Sequence, residues 1–303
     1  MVSMNRLSTE KRAQVVAALV EGNSIRATVR MTGVAKNTVT KLLVDLGTVC
    51  SIYQDQAMRD LPCERIQCDE IWAFVYAKQK NVPPDKRGEA GDVWTWVAMD
   101  ADTKLVPSYR IGGRDLSEAT AFITDLAGRL RHRVQLTTDG HAPYLLAVKG
   151  AFNGEIDYAQ LVKLYGNDRS MKPERRYSPA VCLAAIPKRV SGSPDPDHIS
   201  TSYIERQNLT MRMGMRRYTR LTNAFSKKVE NLAAAVSLHF MHYNFCRVHK
   251  TLGTTPAVAA GVTDHVWTLD ELIGLLAEAE ATPVKRGGYA KTRAIKRAAE
   301  ISD

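Results

Sequence analysis

One acidic side chain in the last third of the sequence has strongly basic surroundings. Glu205 lies in a helix-like segment, and between it and Lys250 the only other acid is Glu230. The same span carries nine cations, which are Arg206, Arg212, Arg216, Arg217, Arg220, Lys227, Lys228, Arg247 and Lys250. A single carboxylate among many cations indicates a metal ligand that lies beside a phosphate-binding surface. Glu155 and Glu174 are rival candidates, and a metal site would need two more carboxylates upstream.

Two aspartates upstream have suitable settings. Asp69 lies midway along an apolar segment over 66–75 that is typical of a buried strand, where an unpaired carboxylate is costly. Its neighbour Glu70 is predicted to face the opposite side of the strand and is the competing candidate. Asp139 follows a predicted strand over 133–138 and precedes a glycine, although Asp-Gly is also a common turn pair.

The elements around these acids follow a defined order. The pattern predicts strands over 66–75, 93–99, 105–111, 133–138 and 156–162, and helices over 115–131, 142–151, 200–215, 223–246 and 269–280. The short turn between the second and third strands predicts an antiparallel meander. This order is that of a ribonuclease H-like domain, an α/β fold in which helices flank a mixed five-stranded sheet.

In that architecture the first strand lies beside the end of the fourth strand. We therefore expect Asp69 and Asp139 to meet there, with Glu205 brought in by a later helix. Three such carboxylates would hold two divalent cations about 3.5–4 Å apart. Phosphodiester cleavage needs an activated water or hydroxyl, a neutralised phosphate and a stabilised leaving oxygen, all of which two cations supply. The predicted cofactor is two Mg²⁺ ions per site, and the same ligands would tolerate Mn²⁺.

The predicted helix around Glu205 also carries polar and basic side chains. Asn208, Arg212 and Arg216 follow Glu205 by three, seven and eleven positions, so the four are predicted to share one helical stripe. Arg212 and Arg216 would then contact the phosphates of the cleaved strand. Two more candidate DNA contacts are Arg217, which a solvated basic face would also explain, and Arg247, where the next long helix ends.

The first 50 residues have the pattern of a small DNA-binding domain. Helices are predicted over 7–20, 24–31 and 36–46, with a glycine turn before the third helix. The third helix begins with side chains that reach base edges and phosphates, namely Lys36, Asn37, Thr38, Thr40 and Lys41. We interpret this as a helix-turn-helix, although a generic three-helix bundle with a solvated polar face has the same pattern.

The chain is thereby divided into four predicted parts. Residues 1–50 form the helix-turn-helix domain, and 51–65 form a linker that precedes the catalytic domain over 66–262. That domain contains a proline-rich, irregular insertion over about 166–199. Residues 263–303 form a last helix and a basic tail.

Composition favours a polyanionic partner. The chain has 303 residues and a formal net charge of +10, which favours nucleic acid over an acidic membrane. It contains no apolar run near the ~18 residues of a membrane span, and its N-terminus lacks a signal-peptide core. The five cysteines form no paired CxxC sets, which argues against zinc and favours reduced thiols. We expect a cytoplasmic, nucleoid-associated protein.

Three segments resemble DDE transposases of the bacterial insertion-sequence-one type. The segment from His198 to Gly261, which includes SYIERQNLTMRMGMRRYTRLTNAFSKK, resembles the carboxyl half of that family. QCDEIWAFV and LTTDGHAPY resemble its first and second acidic motifs, and with the helix-turn-helix the resemblance covers about residues 5 to 262. The chain lacks the cysteine zinc motif that members often carry ahead of the helix-turn-helix.

The resemblance implies transposition of a DNA element. It implies an acidic triad at Asp69, Asp139 and Glu205, and a basic residue at Arg212. The implied partners are terminal inverted repeats and target DNA, in a homodimer or larger synaptic complex. Two alternatives stay open, namely a catalytically inactive DNA-binding regulator derived from a transposase and a plain metal-dependent nuclease.

Overall fold

The computed structural model describes residues 7–166, 182–219 and 222–281. The helices are α1 (Thr9–Val20), α2 (Ile25–Thr32), α3 (Lys36–Ala57), α4 (Leu116–Ala127), α5 (Pro143–Phe152), α6 (Ser202–Gly214), α7 (Val229–Met241), α8 (Pro256–Ala259) and α9 (Leu269–Ala281). The strands are β1 (Arg65–Val75), β2 (Gly91–Asp100), β3 (Ser108–Gly112), β4 (Gln135–Asp139), β5 (Asp157–Tyr165) and β6 (Cys182–Ser191). None of the described helices is long and apolar enough to cross a membrane.

One mixed sheet positions the acidic residues, and its strand order is β3-β2-β1-β4-β5-β6. β1, β2 and β3 pair antiparallel, whereas β4 and β5 continue the sheet parallel to β1. The predicted meander and the predicted adjacency of the first and fourth strands are therefore confirmed. Because Cys68 pairs with Thr138 in parallel register, the next residues, Asp69 and Asp139, lie side by side at the point where β4 ends.

The sheet has a sixth strand that was not predicted. Residues 182–191, in the segment predicted to be irregular, form β6 and pair antiparallel with β5. The prediction of a five-stranded sheet is therefore wrong. Pro187 argues against a strand in the sequence, because proline cannot donate a ladder hydrogen bond. Proline is tolerated chiefly on edge strands, and β6 is an edge strand of this sheet. The predicted insertion also includes 167–181, which lie outside the described residues.

Helices cover both faces of the sheet, and neighbouring residues of β2, which point to opposite sides, contact different helices. Trp96 is fully buried on one side, where its ring centroid lies 6.0 Å from that of Phe122 in α4 and 5.4 Å from that of Tyr144 in α5. Thr95 points to the other side and hydrogen-bonds to the hydroxyl of Tyr218, in the 3-10 turn after α6. α6 therefore packs on the face opposite to α4 and α5.

The third helix is longer than predicted. Its predicted end at residue 46 is followed by Gly47, a residue type that often ends a helix, but α3 continues to Ala57. Residues 51–57 of the predicted linker are therefore helical. Gly47 instead marks the place where α3 packs most closely on α7. A Cβ atom at this position would lie 2.3 Å from the carbonyl oxygen of Ala234. Burial against α7 therefore outweighs the low helix propensity of glycine.

The N-terminal helices share their core with the rest of the chain. Leu46 of α3 is buried in the same hydrophobic cluster as Val236 of α7, and Arg12 of α1 pairs with Glu280 of α9 at 3.1 Å. α2 ends at Gly33, whose φ of 70° favours glycine and produces the turn into α3. Three packed helices with this turn are compatible with a helix-turn-helix, which stays a prediction.

The end of α7 anchors the segment that leads into β3. α7 stops at Met241 and continues as a π-helical turn to Cys246. Within this turn Asn244 is fully buried, accepts a hydrogen bond from the backbone N–H of Val106 and donates one to its carbonyl oxygen, both at 3.0 Å. The predicted basic tail over 285–297 lies outside the described residues.

Candidate functional site

Three carboxylates meet where β4 ends. Asp69, Glu70 and Asp139 each offer an oxygen atom, and these atoms all lie within 4.8 Å of one another. The acids line an open cavity of about 730 Å³, whose wall also includes Glu205 and Arg212. In the part of the chain that the structure describes, this is the one group of His, Cys, Asp and Glu side chains close enough to share a metal ion.

The cluster has unfavourable electrostatics in the absence of a cation. Burial raises the pKa of Asp69 to about 6, and repulsion from Asp139 adds to the rise. Burial also raises the pKa of Glu70 to about 7, again with a contribution from Asp139. The carboxylate of Glu70 is buried beside the hydroxyl of Tyr144, and a hydrogen bond between the two partly offsets the rise in its pKa. A divalent cation would offset the repulsion among the three carboxylates, so this donor set fits a hard metal ion.

Hydrogen bonds orient the two aspartates. The backbone N–H of Glu70 donates to Asp69 Oδ1 at 2.9 Å, and Asn208 Nδ2 donates to Asp69 Oδ2 at 2.8 Å. The backbone N–H of His141 donates to Asp139 Oδ1 at 3.0 Å. Both carboxylates are thus held in fixed orientations, as ligand geometry requires.

Arg114 bridges two of the acids. Its Nη2 atom lies 3.0 Å from Glu70 Oε2 and 3.8 Å from Asp139 Oδ2. This guanidinium neutralises part of the cluster's charge. Arg114 was not predicted from the sequence, because it reaches the cavity only through the connection between β3 and α4, and no local pattern marks it.

Glu70 faces the side of the sheet opposite to Asp69, as predicted, because it pairs with Trp96, whereas Asp69 contacts Asn208 of α6. The two carboxylates nevertheless meet at the end of β4. β4 ends at Asp139, whereas β1 continues to Val75. Beyond Asp69, β1 therefore has no neighbour on its β4 side, and a side chain from either face of the strand can turn into the open space. Glu70 does so, with its side chain only 1% exposed.

Glu205 lies on the wall of the same cavity but outside the tight cluster. Its carboxylate pairs with Lys163 of β5 and accepts a hydrogen bond from Thr201 Oγ1 at 2.5 Å. Asp139 is paired with Leu161 in the β4–β5 register, so Lys163 lies two residues beyond the level at which β4 ends. Lys163 was not predicted as a site residue, because its position depends on this pairing between strands and not on a local pattern in the sequence.

The stripe on α6 is shorter than predicted. Asn208 and Arg212 line the carboxylate cavity together with Glu205. Arg216 does not extend this stripe, because α6 ends at Gly214 and Arg216 lies in the following 3-10 turn. It lines a different cavity, beside residues of α1 and α3. The placement of Arg216 beside the carboxylates is therefore wrong.

The other two basic candidates lie away from the carboxylates. Arg217 donates through Nε to Ser226 Oγ at 2.8 Å, and burial lowers the pKa of its guanidinium. Arg247 is exposed and lines a separate cavity with Arg206 and Lys250. Neither arginine lines the carboxylate cavity.

The candidate DNA contacts of α3 lie at the start of that helix. Lys36, Asn37, Thr38 and Lys41 are exposed, and Thr40 is half-buried. The hydroxyl of Thr40 donates to the carbonyl oxygen of Lys36 at 3.0 Å, and Lys41 pairs with an acid one turn further on. Three of the five side chains are thus exposed without a hydrogen bond or ion pair to another described residue.

Weak structural similarities link the chain to known proteins. No protein-family model matches the sequence, and no curated protein matches it either. A synaptic complex of piggyBac transposase with hairpin DNA has 11% identity and a TM-score of 0.37, over 94% of this chain and 76% of that one. A Mos1 mariner paired-end complex with Mn has 10% identity and a TM-score of 0.32, over 93% and 82%.

A second Mos1 transposase structure, a paired-end complex with the left transposon end, has 13% identity and a TM-score of 0.23. That similarity covers 52% of this chain and spans 60% of the Mos1 chain. Similarities at these TM-scores establish neither a shared fold nor a shared activity.

Proposed function

We propose that the chain is a DNA transposase that binds the ends of an insertion sequence, cleaves DNA and joins the free 3′-hydroxyl to target DNA. The observation that carries this proposal is the convergence of Asp69 and Asp139 where β4 ends, in a cavity that Glu205, Asn208 and Arg212 also line. The strand order supports a ribonuclease H-like catalytic domain. A cluster of carboxylates beside arginines suits metal-assisted chemistry on a phosphodiester.

Asp69, Asp139 and Glu205 are the proposed metal ligands, and Glu70 lies within reach of the same ion. Bound Mg²⁺ or Mn²⁺, two ions per site, would polarise the scissile phosphate and stabilise charge on the attacking and leaving oxygens. Metal binding by Glu205 requires its carboxylate to exchange Lys163 for the ion.

The surrounding side chains position substrate and ligands. Asn208 fixes the Asp69 carboxylate through its hydrogen bond, and Arg114 neutralises Glu70. Arg212, on the wall of the cavity, is placed to bind a phosphate of the DNA strand. Together they would hold a phosphodiester against the carboxylates.

End recognition is assigned to α2 and α3, acting as a helix-turn-helix. Lys36, Asn37, Thr38, Thr40 and Lys41 would contact the terminal inverted repeat. Two ends must be held together for transposition, so the working assembly is a homodimer or a larger synaptic complex. Because α1–α3 share the core, point variants test this role better than deletion of the segment. Asn37→Ala should reduce discrimination between an end and a scrambled duplex by about 1–3 kcal/mol.

A strand-transfer assay tests the proposal. The assay contains an end-bearing oligonucleotide, target DNA and Mg²⁺, and it compares wild type with Asp139→Ala. The control is Asp85→Ala, which removes an exposed carboxylate outside the lining of the cavity. We expect at least about 100-fold less joining by Asp139→Ala and unchanged joining by the control. Unimpaired joining by Asp139→Ala would overturn the assignment. Cleavage without joining would identify a nuclease, and end binding without either reaction would identify a regulator.

A further inference from the structure

A second, basic cavity lies on the other side of α6 from the carboxylates. Its volume is about 470 Å³. Five of its lining residues carry basic side chains, namely Lys104, Arg206, Arg247, His249 and Lys250. Its described lining includes no Asp or Glu. The proposed cleavage chemistry uses none of these residues.

Two polar side chains in the wall are buried. Lys104 is 8% exposed, and its Nζ atom lies 3.4 Å from the ring centroid of Tyr203. Gln207 is 2% exposed, and its Nε2 atom has no hydrogen-bond partner among the described residues. The wall of the cavity thus combines two buried polar side chains with exposed cations.

The position of Lys104 is set by its backbone. Its φ of 61° is unusual for a residue with a side chain, and Tyr243 Oη donates to its carbonyl oxygen at 3.1 Å. The Nζ atom also donates to the carbonyl oxygen of Ala101. These contacts hold Lys104 in the wall, where burial lowers the pKa of its ammonium and the charges of Asp102 and Asp100 partly offset that shift.

The electrostatics of the cavity favour an anion. Burial lowers the pKa of His249, and repulsion from Lys104 and Arg247 lowers it further. Arg206, Arg247 and Lys250 are exposed at the mouth of the cavity. Clustered cations in a partly desolvated cavity attract phosphate groups strongly.

α6 separates this cavity from the carboxylates. Tyr203, Arg206, Gln207 and Thr210 line the basic cavity, whereas Glu205, Asn208 and Arg212 line the carboxylate cavity. Because an α-helix with its side chains is about 10–12 Å across, DNA at the carboxylates would pass within about one helix diameter of the second cavity. Both sides of α6 are therefore within reach of one extended polyanion.

We propose that the basic cavity binds the phosphodiester backbone of DNA outside the segment that is cleaved, so that α6 lies between two phosphate contacts. The inference rests on the proposed function in taking DNA as the source of the phosphate. It extends the DNA contact predicted for Arg247 to a second DNA-binding site, built from β2, α6 and the segment after α7, beside the contacts expected from α3 and Arg212.

Salt-dependent DNA binding tests this site. The affinity of a duplex of about 30 base pairs and arbitrary sequence is measured by fluorescence anisotropy in EDTA at several salt concentrations. Arg206→Gln/Lys250→Gln removes two cations of the cavity. Arg131→Gln/Lys149→Gln removes the same two residue types from the exposed surface outside both cavities. Thermal unfolding checks that both double variants remain folded.

The logarithm of the binding constant falls with the logarithm of salt concentration by about 0.9 for each phosphate contact. The cavity variant lacks two such contacts, so we expect the magnitude of its slope to be smaller than that of wild type by about 1.8. The surface variant should keep the wild-type slope. Equal slopes for the two folded double variants would overturn the second site. The binding assay contains no metal, so this failure is distinct from failure of the proposed function, which is judged by metal-dependent joining in Asp139→Ala.

Discussion

Replacing Glu70 by glutamine removes one of the three clustered carboxylates and preserves the size of the side chain. Burial and repulsion from Asp139 raise the pKa of Glu70 from 4.5 to about 7. The folded state then binds this proton more tightly than the unfolded state. The associated stability is fully present below pH 4.5 and is lost as the pH rises through 7. Glutamine does not titrate, so the variant lacks this pH dependence.

The size of the effect follows from the pKa of Glu70. A rise from 4.5 to about 7 corresponds to about 3 kcal/mol, at about 1.36 kcal/mol per pKa unit. Between pH 5 and pH 8, linkage predicts that wild type loses about 2.5 kcal/mol of unfolding free energy through Glu70. The side chain is 1% exposed, so solvent screens little of this energy. Glu70→Gln should therefore gain about 2.5 kcal/mol relative to wild type over the same interval.

Urea unfolding in EDTA at pH 5 and pH 8 measures this difference directly. Glu89→Gln, at a glutamate whose side chain is 74% exposed, is the control for glutamine substitution on the surface. Adding Mn²⁺ at pH 8 should stabilise wild type more than Glu70→Gln, because an ion bound to the folded state stabilises it by mass action. The reasoning is refuted if wild type and Glu70→Gln differ by the same free energy at both pH values.

Three further predictions concern packing and charge. Gly47→Ala places a methyl group against the α7 backbone and should destabilise the fold by about 3 kcal/mol. Gly150→Ala, in open space on α5, should stabilise the fold by about 0.5–1 kcal/mol. If urea unfolding ranks the two variants otherwise, the close contact between α3 and α7 is contradicted. Lys163→Gln removes the cation paired with Glu205 and should tighten Mn²⁺ binding several-fold, as measured by isothermal titration calorimetry. Weaker Mn²⁺ binding by this variant would contradict the role of Glu205 as a metal ligand. Asn244→Ala leaves a buried backbone N–H and carbonyl unpaired and should destabilise the fold by about 3 kcal/mol, whereas a loss below about 1 kcal/mol would show that water replaces the amide.

The meeting of Asp69 and Asp139 could be predicted because it depends on local patterns. Alternating apolar residues mark the strands, and short turns fix the meander. The parallel pairing of Cys68 with Thr138 then brings the two aspartates together. Asn208 and Arg212 follow from helical spacing alone, and both line the cavity.

The remaining features depend on contacts between distant segments. Glu70 joins the cluster because β4 is shorter than β1, and strand lengths are poorly marked in sequence. Lys163 meets Glu205 only through the β4–β5 register and the docking of α6. Gly47 signals a helix end locally, yet packing on α7 carries α3 through it. Pro187 argues against a strand until β6 is known to be an edge.

Anomalous diffraction from crystals grown with Mn²⁺ and an end-bearing oligonucleotide tests the central claim most directly. The account predicts manganese peaks about 2.0–2.3 Å from carboxylate oxygens of Asp69 and Asp139, with Glu205 turned from Lys163 toward the metal. The same map shows whether Glu70 also binds the ion. Manganese bound elsewhere, with DNA present and no peak between Asp69 and Asp139, would contradict the account.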